Sequence, residues 1–217
     1  MSASDDRKPP SSNTFLAKLR SDGVVRPVGL STAAVGGVFL AFIPLTTWLA
    51  QPNTLLSQAL TGVCRTLAYI STFGRTSSTS STGKLAALST LYIAFTYAFS
   101  GAASAAGTDA ACEEGRDNSH PRKQVERLSG LPLRLHSAHY NLMEMFPGFA
   151  LSAALTQAMA PGDEVLVNLL GLHVLCKVFV FWPAYVFNVA APRSLAHVLA
   201  TASVINVALR LSRKGIA

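Results

Sequence analysis

Four stretches of the chain carry no Asp, Glu, Lys or Arg: 28–64, 85–108, 145–162 and 194–209. A fifth, 165–192, is interrupted only by Lys177. These windows approach or exceed the roughly 20 apolar residues that a helix needs to cross a bilayer core. Backbone hydrogen bonding limits spanning structures to helices and closed barrels, and the short alternating segments of a barrel are absent. The pattern predicts an all-α integral membrane protein.

The polar positions divide this pattern into parts. Residues 1–27 are rich in Ser, Pro and charge, the mark of a poorly ordered terminus. Segment 28–50 is long enough to span and too long for the apolar part of a cleaved secretory signal. Asp5 and Asp6 count against an organelle presequence, although Ser and Arg are present. Segment 54–73 has Arg65 in its middle and reads equally as a second span, an interfacial helix or a packed hairpin partner. The Ser/Thr/Gly run 76–83 looks like a domain boundary.

Beyond it the spacing becomes regular. A first core span covers about 84–106, and a polar loop follows over 107–133. A second helix begins near Pro132 and reaches about 160; PGDE (161–164) turns into a third that ends near Trp182 and Pro183. A fourth runs from about Arg193 to Leu211. Short connections imply antiparallel neighbours. The expectation is a four-helix transmembrane bundle over 84–217, preceded by an N-terminal hydrophobic extension at 28–83 and the polar stretch 1–27.

Composition agrees. Only 13% of residues are charged and the mean hydropathy is +0.35, too apolar for an ordinary soluble domain. The net charge of +7 invites a nucleic-acid reading. However, the basic residues lie at the polar ends and loops, as juxtamembrane charge does, and no recognition motif accompanies them. Cys64, Cys112 and Cys176 are odd in number and widely spaced, which supports neither a disulfide framework nor a metal site. Serine hydrolase, phosphate-loop and zinc-hydrolase motifs are absent, and no internal repeat suggests a transporter.

One segment breaks the apolar rule. LPLRLHSAHYNLMEMFPGFA (131–150) places an arginine, two histidines, an asparagine and a glutamate within one helical stretch. At about 100° per residue, Arg134, Ser137, Asn141 and Glu144 share one stripe, while His136 and His139 point elsewhere. Ionisable groups in spanning helices usually face a bundle interior or a wet cavity. The stripe suits either a zwitterionic polar ligand or an internal Arg–Glu network that fixes helix packing. His173 and His197 read as packed or interhelical hydrogen-bonding groups. Trp182 and Tyr185 suit an interfacial belt, and Tyr185, with Arg193 just across the turn, equally suits contact with a ligand.

The run Ala138-His139-Tyr140-Asn141-Leu142-Met143-Glu144-Met145-Phe146-Pro147 resembles the A-H-x-N-x-x-E-x-x-P signature of the MAPEG family, the membrane-associated proteins of eicosanoid and glutathione metabolism. Arg134, Gly115-Arg116-Asp117, Tyr185 and Arg193-Ser194 also resemble family positions, and the resemblance covers roughly 84–212. Ser137 and Met145 stand where many members carry Arg and Tyr, and Lys177 matches the family's third-helix basic residue only loosely.

What the resemblance implies is a homotrimer in the bilayer, in the endoplasmic reticulum or another internal membrane if the cell is eukaryotic. Glutathione, as co-substrate, would bind between subunits. Arg193 would stabilise its thiolate. Arg134, Asn141, Glu144 and Tyr185 of one subunit and Arg116 and His139 of its neighbour would hold the rest. The implied activity is glutathione transfer to hydrophobic small molecules or reduction of lipid hydroperoxides. The alternative is a non-catalytic lipid-binding or scaffold protein of the same fold.

Overall fold

The computed structural model describes residues 15–75, 78 and 80–216. Residues 1–14 of the polar N-terminal stretch lie outside the described residues, as do 76, 77 and 79 of the Ser/Thr-rich linker. Among the described residues every regular element is helical. The chain divides into two units, Met1–Val38 and Phe39–Ala217. The first holds α1 (Phe15–Ser21), a 3-10 stretch over Pro27–Ala34 and the start of α2 (Val35–Ala41). Pro27 opens the 3-10 stretch, where its fixed φ and missing N–H cost nothing.

The second unit continues with α3 (Ile43–Leu49), α4 (Leu55–Ser71) and α5 (Ser81–Ala110). A short α6 (Pro121–Val125) precedes α7 (Gly130–Met159), α8 (Glu164–Val186) and α9 (Ala190–Ile216). Three of these helices start on side chains suited to capping: Thr54 accepts from the Ser57 N–H, Ser80 from Gly83 and Asp163 from Leu166. Both α5 and α8 contain a wide π-helical stretch, at Ala94–Ser100 and Cys176–Phe181. Such turns shift the register of the side chains that follow and often occur at functional sites.

Helices α5, α7, α8 and α9 form the bundle, with α5 packed on α7 and α8, and α9 packed on α7 and α8. Helix α8 lies deepest, every residue from Leu166 to Val174 being buried. The two helices before the linker belong to the same unit. Helix α4 turns the stripe Ser57, Leu60 and Cys64 inward against α5 and α8. Gly171 on α8 makes this possible, because a Cβ there would overlap the Leu60 side chain.

Helix α3 is held to α9 by polar bonds. The Asn206 amide donates to Thr47 Oγ1 at 2.9 Å and Thr46 Oγ1 at 3.1 Å, and Arg210 donates to Asn206 Oδ1 at 3.1 Å. Lipid does not drive helices together as water does, so close packing and interhelical hydrogen bonds of this kind carry the association.

Among the described residues, four helical stretches are long and apolar enough to cross a membrane: Pro27–Leu49, Ser81–Ala110, Glu164–Val186 and Ala190–Gly215. Helix α7 matches them in length with 30 residues, but its first half carries the polar run beginning at Arg134. The molecule is an all-α integral membrane protein, a transmembrane four-helix bundle with an N-terminal hydrophobic extension.

Candidate functional site

Helix α7 presents its polar residues to two hollows, which share His136 in their walls. On one side His136, Ser137, Tyr140, Asn141, Glu144 and Tyr185 line a cavity of about 310 Å³. Residues 137, 141 and 144 follow the i, i+4, i+7 spacing of a single helix face. Tyr185 reaches the cavity from the end of α8, and the Arg193 guanidinium lies over its ring, 4.8 Å from the centroid. That is cation–π distance. Arg193 itself does not line the cavity and is linked to it through the Tyr185 ring.

Arg134 does not line this cavity. Its Nε donates to the Val186 carbonyl at 2.8 Å, tying α7 to the last turn of α8. Glu144 is exposed, and among the described residues no cation pairs with it. Arg134 and Glu144 thus do not form an internal lock, and both the carboxylate and the terminal guanidinium nitrogens remain available.

A second hollow of about 330 Å³ lies between α5, α7 and the loop around α6. Arg116, Arg122, His136 and His139 line it together with Ser104 and Thr108. His139 Nδ1 is 2.9 Å from Ser100 Oγ, whose own proton goes to the Thr96 carbonyl. Nδ1 is therefore the donor, and Nε2 carries the lone pair. Arg116 and His139 thus share one hollow, while Asn141, Glu144 and Tyr185 share the other.

Behind Asn141, outside the lining of the first cavity, lie residues that sequence reasoning assigned little. Lys177 is completely buried and donates to Asn141 Oδ1 at 2.7 Å. His197 Nδ1 lies 2.9 Å from the same Nζ. The available signal was the single charge in the 165–192 window. His173 is a packed core residue: it bonds the Ala200 carbonyl at 3.0 Å, and the Tyr92 and Phe149 rings lie against it.

The family comparison bears on the same residues. The model of the MAPEG family matches residues 85–212, more than half of the chain and the whole of the bundle's site-bearing part. Neither the curated proteins nor the solved structures yielded a match. The helical bundle, its membrane-spanning segments and this match agree. The chain belongs to the MAPEG family and is an integral, multi-pass membrane protein with a role in glutathione-related or eicosanoid metabolism.

Proposed function

We propose that this protein is a membrane-bound glutathione transferase or peroxidase that acts on hydrophobic electrophiles or lipid hydroperoxides. The supporting observation is the first cavity: Asn141, Glu144 and Tyr185 line it, and Arg193 stands against Tyr185. An amide, a carboxylate and a phenol beside a cation suit a ligand that carries both an amine and carboxylates.

The chemistry follows from the cation. A thiol with a pKa near 8.5 is mostly protonated at neutral pH, and an adjacent positive charge favours the nucleophilic thiolate. In this reading Arg193 holds the glutathione sulfur as thiolate. The sulfur attacks an electrophilic carbon, forms the C–S bond and displaces a leaving group with its electron pair. With a hydroperoxide, the sulfur attacks the terminal oxygen, and a second glutathione then releases the disulfide, leaving alcohol and water. Arg134 would use its terminal guanidinium nitrogens on a carboxylate. Arg116 and His139 would reach the same ligand from a neighbouring subunit of a homotrimer, since their hollow opens on a different side of α7.

A second reading, lipid binding without catalysis, is favoured by the apolar groove of about 370 Å³ between α5 and α7, lined by Leu85, Ile93, Phe146 and Phe149 among others. Purified, detergent-solubilised protein distinguishes the two. Glutathione binding with turnover of an aryl halide or cumene hydroperoxide supports the enzyme. Lipid binding with no affinity for glutathione replaces it with the second reading.

A further inference from the structure

Behind the first cavity, three helices meet at Lys177. Its ammonium touches Asn141 on α7 and His197 on α9, and the Phe181 ring covers it at 4.2 Å. Among the described residues no carboxylate lies within ion-pairing distance of this ammonium. A buried cation in a spanning bundle is costly and tends to persist where it has a function. Here its hydrogen-bond partners are an amide and an imidazole, Glu144 acts on it as a nearby charge beyond ion-pairing distance, and Asn141 and Glu144 both line the candidate site.

The two ends of an asparagine amide differ chemically, and Lys177 can bond only one of them. An ammonium has three donors and no acceptor, so it must face the carbonyl oxygen. The Asn141 nitrogen then turns the other way. Among the described residues it has no bond within the chain, and Asn141 is part of the cavity wall next to Glu144. An unrestrained amide could present either end to a ligand.

We infer that Lys177 is a positioning residue: anchored by His197, it pins the Asn141 carbonyl so that the cavity is offered amide N–H donors beside the Glu144 acceptor. The arrangement selects a ligand whose acceptor faces Asn141 and whose ammonium faces Glu144. It also makes Lys177 act without touching the ligand. The inference takes its ligand from the glutathione reading, but the clamp itself exists without one.

A double-mutant cycle on the full chain in detergent tests the clamp. Lys177→Met keeps the length of the stem and removes the donor. It should raise the KM for glutathione about tenfold and change kcat by less than about twofold, as expected for losing one ligand-orienting group rather than a transition-state contact. Lys177→Arg retains a donor and should restore most of the loss. In an Asn141→Ala background Lys177→Met should add nothing, because the group it acts through is gone. Equal losses in both backgrounds, or a parental KM in Lys177→Met, overturn the inference.

A second measurement needs no glutathione. In protein labelled with ¹⁵N-asparagine, the side-chain amide signal missing from Asn141→Ala identifies Asn141. That signal should move in Lys177→Met, and move less in His197→Phe, which also serves if Lys177→Met does not fold. If the parent binds no glutathione but the signal moves, the proposed function fails and the clamp stands. An unmoved signal in a folded variant sinks the clamp alone.

Discussion

Arg193 is the residue on which the proposed chemistry depends most. Its guanidinium lies 4.8 Å from the Tyr185 ring centroid, and the flat face of a guanidinium is what such stacking uses. Arg193→Ala should raise the pKa of bound glutathione and lower turnover at least about tenfold, equivalent to about one pKa unit or 1.4 kcal/mol. Glutathione affinity should fall less. Thiolate absorbance and turnover equal to those of the parent would make Arg193 a stacking residue only. At the same scale, the turn before α8 carries a pH-sensitive contact. Burial works against ionisation of Asp163, but bonds from Lys214 Nζ and the Leu166 N–H outweigh it and hold the carboxyl below its ordinary range. A depressed carboxyl stabilises the fold above its unfolded pKa of about 3.9, and the contribution is lost as pH falls through the folded value. Asp163→Asn should therefore melt below the parent at neutral pH, with the gap closing in acid. A gap that stays constant down to about pH 3 would show that the carboxylate charge contributes nothing.

At the scale of elements, α4 and α8 meet through an absent side chain. Leu60 is buried against Gly171, where any Cβ would overlap it. Gly171→Val should lower the melting temperature in detergent by several degrees, since overpacking a core typically costs about 1–3 kcal/mol. Leu60→Ala in the same chain should recover part of the loss by making room. Additive destabilisation of the two changes would mean that they do not share a contact. The sequence around α4 permitted a span, an interfacial helix or a packed partner, because Arg65 and a mixed apolar face suit all three. Ser57, Leu60 and Cys64 follow helical spacing, yet spacing alone does not say what the face covers. Lys177 was obscured in a similar way. As one charge among apolar residues it lowers a window's hydropathy slightly, and only the placement of α7 and α9 around it reveals two polar partners.

At the scale of the whole molecule, the two hollows pose a question of assembly. Arg116 and His139 line one; Asn141, Glu144 and Tyr185 line the other. A ring of three copies has heterologous interfaces that close, so one subunit's first face can meet its neighbour's second. Arg193→Ala and the double variant Arg116→Ala/His139→Ala should each be impaired alone. Coexpressed, they should regain activity in mixed assemblies of the proposed homotrimer, up to about one intact site per mixed trimer. Tandem-affinity purification followed by a glutathione turnover assay measures this. Mixed trimers no more active than either parent variant would place the whole site within one subunit.

Local sequence was sufficient for the class of the molecule, because a spanning helix is specified by composition over about 20 residues and by nothing further away. It was sufficient too for the rotation of α7, where a period of 3.6 residues separates Asn141 and Glu144 from His139 whatever surrounds them. Tertiary structure decided the rest. Arg134 sits on the same stripe, yet its Nε is committed to the Val186 carbonyl, a partner 52 residues away that helical periodicity does not register. The burial of Lys177, the seat of Leu60 on Gly171 and the bonds from Asn206 to α3 likewise depend on distant segments arriving side by side. In a membrane bundle those packing and hydrogen-bond contacts determine the arrangement of the helices, so they become visible only once the helices are placed.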